Sequence, residues 1–128
     1  MVEQIEAPAP GAKARRSPCP IAQALDVAGD RWTLLLVRDL VLGKSRYSEF
    51  QNSREGVPTN ILADRLKRMQ AKGLIEKTLY QERPKRYAYA LTPKGRALLP
   101  VLQAMCLWAQ DHMPPGYIAP KAFLALKP

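Results

Sequence analysis

Few side chains in this sequence are equipped for covalent or metal chemistry. There are two cysteines, Cys19 and Cys106, and one histidine, His112. Scattered as they are, they cannot supply the convergent ligands of a zinc site. No nucleophile, base and orienting group stand at a recognisable motif spacing either. The expectation is a protein that is not an enzyme and uses no cofactor and no metal. Cys19 differs from Cys106 in position. It directly precedes Pro20 at the start of a helical pattern, where unpaired N–H groups and the helix dipole favour a thiolate. The plainer reading of Cys19 is a small buried hydrophobe. Cys106 lies on a helical stripe and reads as packing.

A second set of residues suits recognition rather than reaction. In GVPTNILADRLKRMQAKGLI, residues 56 to 75, a helix from about Thr59 to Lys72 is expected between a Val-Pro start and a Lys-Gly end. Its period places Leu62, Leu66 and Met69 on one side and Asn60, Ala63, Asp64, Lys67 and Arg68 on the other. Asn60 can bond an adenine edge, Lys67 or Arg68 a guanine edge or a phosphate, and Ala63 admits a thymine methyl. Asp64 would repel phosphates, so it reads a cytosine amino group or orients a basic neighbour. Thr59 opens the same helix. Arg65 falls toward the buried edge, where an internal ion pair and a phosphate contact are both open.

Composition agrees with a polyanionic partner. Lys and Arg number 20 against 11 Asp and Glu, a formal charge of +9, which suits nucleic acid or an acidic membrane surface. With 128 residues, 47% of them apolar, the chain can bury one core. Its longest apolar runs, such as LLLV at 34–37, fall far short of the roughly 20 residues that span a bilayer. No secretory signal is read at the N-terminus, and two distant cysteines suit a reducing cytoplasm. Residues 1–17 read as a flexible basic arm carrying Lys13, Arg15 and Arg16, residues 18–113 as the folded domain, and 114–128 as a tail with Tyr117, Phe123 and Leu126 available for docking.

The elements that must position these groups follow from periodicity. Ile21, Leu25 and Ala28 mark a first helix that Gly29 ends in a left-handed turn. Asp30 caps a second, RWTLLLVRDLVL at 31–42, apolar nearly all round and closed by Gly43. A short third helix covers 46–52 with Ser45 as cap and Tyr47 and Phe50 inward. After the helix at 59–72, LIEKTLY and RYAYALT alternate as strands joined by QERPK, a basic tip with Arg83, Lys85 and Arg86. Thr92-Pro93 starts a last helix to about His112, kinked by Pro100. It carries two apolar seams: Leu98, Val101, Met105, Trp108 and His112, and beside it Leu99, Leu102, Cys106, Ala109 and Met113. One seam packs inward. The other needs a second molecule, so a homodimer through Leu98, Val101, Leu102, Met105 and Trp108 is expected. Trp32 and Trp108 read as packing rather than as a ligand box.

This order gives a mainly α fold with a small antiparallel β hairpin, a winged helix-turn-helix whose last helix leaves a seam for a second copy. The second helix of the pair enters the major groove, Ser45 and Arg46 of the helix before it are further DNA-binding residues, and the wing reaches backbone or minor groove. The segments CPIAQALDVAGDRWTLLLVRDLVLGKSRYSEF, GVPTNILADRLKRMQAKGLI and YALTPKGRALLPVLQAMCLWA resemble the HxlR-type transcriptional regulators, a MarR-like branch of winged-helix proteins. The likeness covers about 19–109. It implies a homodimer held by the first and last helices, double-stranded DNA with a palindromic operator as partner, and control of a nearby gene; a repressor is expected, although an activator shares every feature read here. It also implies sensing of an oxidant or electrophile at the Cys-Pro position, here Cys19, and leaves room for a small-molecule effector. The alternative reading is a winged-helix protein-interaction module without specific DNA readout.

Overall fold

The computed structural model describes residues 17–114, 116 and 118–128. The basic cluster Lys13, Arg15 and Arg16 and the expected docking residue Tyr117 lie outside them. Helix α1 is Pro20–Ala28, with Cys19 at its N-cap. Its period is as expected, but Ile21 and Leu25 face outward and only Ala28 is buried. Gly29 ends α1 in a right-handed conformation, φ −86°, and not in a left-handed turn. Glycine is needed there for closeness instead: a Cβ would stand 2.4 Å from the Leu25 carbonyl oxygen.

Helix α2 is Thr33–Val41. It begins two residues later than the apolar run suggests, and the Asp30 carboxylate caps the turn before it, accepting the N–H groups of both Trp32 and Thr33 at 3.0 Å. Leu36, Val37 and Leu40 are buried, whereas Leu42 is exposed and Leu34 and Leu35 are half-buried. Gly43 closes the helix with φ +97°, a left-handed conformation that glycine adopts freely. Helix α3 is Tyr47–Gln51. Ser45 is not its cap. The Glu49 carboxylate reaches back to accept the N–H groups of Ser45 and Arg46 at 3.1 and 2.9 Å, so an acid inside the helix satisfies the donors before it.

Helix α4, Thr59–Ala71, buries Leu62, Leu66 and Met69. Strands β1, Ile75–Glu82, and β2, Lys85–Leu91, pair antiparallel with Ile75 opposite Leu91 and Glu82 opposite Lys85. The register slips once, between Leu79 and Gln81, leaving Tyr80 as the extra residue. A bridge between Arg46 and Ala88 ties the start of α3 to β2.

The long last helix is two. Helix α5 is Pro93–Arg96 and α6 is Leu99–His112. Pro100 does not kink an interior; it sits in the first turn of α6. It has no N–H for the carbonyl four residues back, that of Arg96, and its ring crowds that carbonyl, so α5 stops there and α6 starts afresh. Helix α7, Lys121–Leu124, folds the tail back and buries Phe123. The side-chain amide of Gln103 donates to the carbonyls of Phe123, Leu124 and Leu126 at 2.9–3.2 Å, and that of Gln110 accepts the Ala119 N–H at 2.7 Å. Val37, Phe50, Leu62, Met69, Leu74 and Leu99 form the fully enclosed centre of the core.

Candidate nucleic-acid interface

Helix α4 turns Thr59, Asn60, Ala63, Lys67 and Arg68 to solvent while its Leu62, Leu66 and Met69 side is sealed in the core. Its N-terminus is fixed by Tyr47, whose hydroxyl lies 2.7 Å from both the carbonyl and the hydroxyl oxygen of Thr59. Farther along, Arg65 donates to Asp30 at 2.9 Å. Of the two readings of Arg65 the structure therefore has the ion pair, and it pins α4 to the start of α2. Asp64 pairs with Arg65 and, at 3.0 Å, with Arg68. That geometry fits a carboxylate orienting basic neighbours.

Burial alone would raise the pKa of Asp30. Hydrogen bonds from the Thr33 hydroxyl, the Trp32 N–H, Arg65 and the Thr33 N–H outweigh it and hold the group at about 2. A folded-state pKa below the unfolded one means that the stabilisation is complete above about pH 4 and disappears as pH falls toward 2. Glu55, held at about 2 chiefly by its hydrogen bond from Arg38, titrates in the same window. Urea midpoints should therefore fall between pH 4 and 2. Asp30→Asn should flatten part of that fall, by about 1 kcal/mol once solvent screening is counted. An unchanged acid slope would remove Asp30 from this role.

The loop before α4 is held from the other side. Asp39 of α2, 3% exposed, accepts the Ser53 hydroxyl and the Arg38 guanidinium. Arg38 grips Glu55 with two hydrogen bonds of 2.9 and 2.7 Å, and Lys44 donates to Ser53 at 2.9 Å. Reading the sequence missed this network. Its only trace is an Arg-Asp pair inside an otherwise apolar helix.

The wing tip is exposed at Arg83, Lys85 and Arg86, and the Gln81 amide braces the turn by donating to the Arg83 and Pro84 carbonyls at 3.3 and 3.1 Å. Arg46 lies with its guanidinium 4.4 Å from the Tyr80 ring, which joins this expected DNA-binding residue to the wing. Ser45 is half-buried, and its carbonyl accepts the Tyr89 N–H at 2.8 Å.

On α6 the two seams part as the period requires. Leu99 and Leu102 are buried, and Val101, Met105 and Trp108 are 44%, 52% and 61% exposed. Leu102 was expected at the dimer contact, but at 8% exposure it belongs to the core of its own chain. Leu98 is half-buried against that core. Trp32 packs on the core as expected, whereas Trp108 does not; its ring meets His112 at 5.2 Å on the outer face. Cys19 is half-buried and donates its backbone N–H to Ser17 at 3.1 Å. Cys106 is half-buried against the core. Among the described residues no cluster of three or more metal-ligating side chains occurs, and no helix is long and apolar enough to cross a membrane.

Comparison with known proteins agrees with this geometry. YvaP, an HTH-type transcriptional regulator of Bacillus subtilis strain 168, is 33% identical over 101 residues, which is 78% of this chain and 94% of YvaP. The crystal structure of PA1607 is similar at a TM-score of 0.71 and 39% identity, over 82% of this chain and 72% of that one. The redox regulator HypR in its oxidised form is similar at a TM-score of 0.68 and 29% identity, over 76% of this chain and all of HypR. Residues 27–117 match the HxlR-like helix-turn-helix family. The chain, a winged helix-turn-helix transcriptional regulator, belongs to the HxlR family.

Proposed function

We propose that residues 18–113 act as a homodimeric, cytoplasmic repressor that reads a palindromic operator in double-stranded DNA. The carrying observation is the solvent face of α4, presented by a helix anchored at Thr59, Arg65 and its buried side. Thr59, Asn60, Ala63, Asp64, Lys67 and Arg68 are its reading residues. Ser45 and Arg46 lie where the backbone would pass, and Arg83, Lys85 and Arg86 are the cations of the wing.

Substitutions on helix and wing should differ in kind. Asn60→Ala should cost ~1–3 kcal/mol on the preferred operator and less on random DNA, because a lost base contact removes discrimination. Arg83→Ala or Lys85→Ala should weaken both DNAs alike and reduce the log–log salt slope by about one unit per lost phosphate contact. Footprints should show two half-sites about 10 base pairs apart. Titrations in which none of these substitutions changes affinity or salt slope would point to a protein-interaction module instead.

Cys19 is the proposed redox-sensing residue. Its place at the N-cap of α1 and the likeness to the redox regulator HypR support this reading. Mild oxidant should lower operator affinity of the native protein and leave Cys19→Ser unaffected. Equal losses in both proteins would exclude Cys19.

A further inference from the structure

The tail turns back along α6 and passes its start. Ala119 donates its N–H to the Gln110 amide at 2.7 Å, the carbonyls of Phe123, Leu124 and Leu126 accept from the Gln103 amide at 3.0, 3.2 and 2.9 Å, and the Lys127 carbonyl lies 3.4 Å from the Arg96 guanidinium. The tail therefore runs antiparallel to α6. Its anchors Gln110 and Gln103 belong to α6, but Arg96 belongs to α5. Phe123 is buried in the core, with Ala119 and Leu124 packed against it. Residues 118–128 lie beyond the 27–117 that match the family, so this fastening is added to the matched domain.

What the tail crosses is a break in the helical ladder. Ala97 and Leu98 alone connect α5 to α6, and Pro100 denies the Arg96 carbonyl its N–H partner. On one side of this joint α5 is fastened to the reading helix. The Lys94 ammonium donates to the Lys72 carbonyl at the end of α4 at 2.8 Å, and the Thr92 N–H and hydroxyl donate to the carbonyls of Leu74 and Gly73 at 3.0 and 2.5 Å. On the other side α6 buries only Leu99 and Leu102, both near its start. Beyond them it has half-buried and exposed residues, with the tail laid along it.

We infer that the tail is a splint across the α5–α6 joint, with Gln103 as its positioning residue, and that it fixes the half-site separation the dimer accepts. The spacing role rests on the dimeric, DNA-reading assignment above; the splint itself does not. In such a dimer α6 stands at the two-fold axis and α4 in the groove, so the angle at the joint sets the distance between the two reading helices. Half-sites about 34 Å apart lie roughly 17 Å from the axis. A tilt of about 10° over that arm displaces each reading helix by ~3 Å, close to one base-pair step.

The test compares the full chain with Gln103→Glu and Gln103→Met, which keep the length of the side chain and lose its N–H groups, and with Gln103→Lys, which restores donors to the same carbonyls. Thermal unfolding and far-ultraviolet dichroism confirm that each variant folds. Without DNA, amide hydrogen exchange at Leu98, Val101 and Leu102 should be at least about tenfold faster in Gln103→Glu and Gln103→Met than in the native chain, and exchange at Leu62 and Leu66 of α4 unchanged. Unchanged exchange at the joint overturns the splint. In the second arm the native protein selects an operator from random-sequence duplexes, and its half-sites are then moved together or apart by one and two base pairs. The native chain should prefer one separation by at least about tenfold, Gln103→Lys should keep that preference, and the other two should reduce it to within about threefold while still discriminating bases inside each half-site. A native-like separation preference in Gln103→Glu and Gln103→Met overturns the spacing role. So does a parallel loss of base discrimination, which would mark general loosening of the domain. If the joint loosens and no operator is found, the DNA reading and the spacing role fall together and the splint stands.

Discussion

Asp39→Ala should lower the unfolding free energy by ~3 kcal/mol, because removing one member of a buried charge network leaves its partners uncompensated. The carboxylate lies at the back of the loop that delivers α4, and in its absence the Ser53 hydroxyl loses its acceptor and Arg38 retains only Glu55. Asp39→Asn, which keeps one acceptor oxygen, should cost less. Glu55→Gln should cost less again, since Glu55 is more open to water than Asp39. Urea unfolding at neutral pH ranks the three. A loss below about 1 kcal/mol for Asp39→Ala would show that packing around Val57 and Phe50, and not the network, holds the loop. Operator affinity adds a separate reading, since loosening the loop also frees the N-terminal end of α4.

Met105→Glu should shift the proposed dimer toward monomer by at least about a hundredfold in dissociation constant, as expected for an unpaired carboxylate forced into an apolar contact. Val101→Glu and Trp108→Glu should act in the same direction, because the three share the outer stripe of α6. Leu102→Glu is the contrasting case: it should unfold the chain rather than merely dissociate it, since Leu102 lies in the core. Sedimentation at low micromolar concentration, paired with thermal unfolding, separates the outcomes. Dimers that persist in all three outer-stripe variants would locate the contact elsewhere, with the exposed Ile21 and Leu25 of α1 the next surface to charge.

The face of α4 was readable because a single period governed it: Leu62, Leu66 and Met69 could only be core if Asn60, Ala63 and Lys67 were not. The hairpin was readable from alternation and from Pro84 at its turn. Signals that depend on long-range partners were not readable. Arg65 had two plausible destinations until Asp30, 35 positions away, proved to be beside it. Capping of α3 was misassigned because Ser45 and Glu49 both fit the pattern, and only the fold decides which oxygen reaches the free donors. Pro100 was read as a kink because the apolar seams run through it unbroken. Local sterics stopped α5 at Arg96, while the seams continued in α6.

The tail held by Gln103 and Gln110 also sets a direction of approach. Successive residues on a helix are turned by about 100°, so Gln103 and Val101, or Gln110 and Trp108, lie about 200° apart around the axis. The chain's own end is thus laid along one flank of α6, and the bare stripe of Val101, Met105 and Trp108 looks the opposite way. An incoming helix can therefore seat on that stripe clear of the tail, while the flank the tail covers keeps only Leu107, 50% exposed, as open apolar surface. A chain cut short before Phe123 would free Gln103 and widen the apolar surface beside Leu107, giving a second helix more than one place to lie.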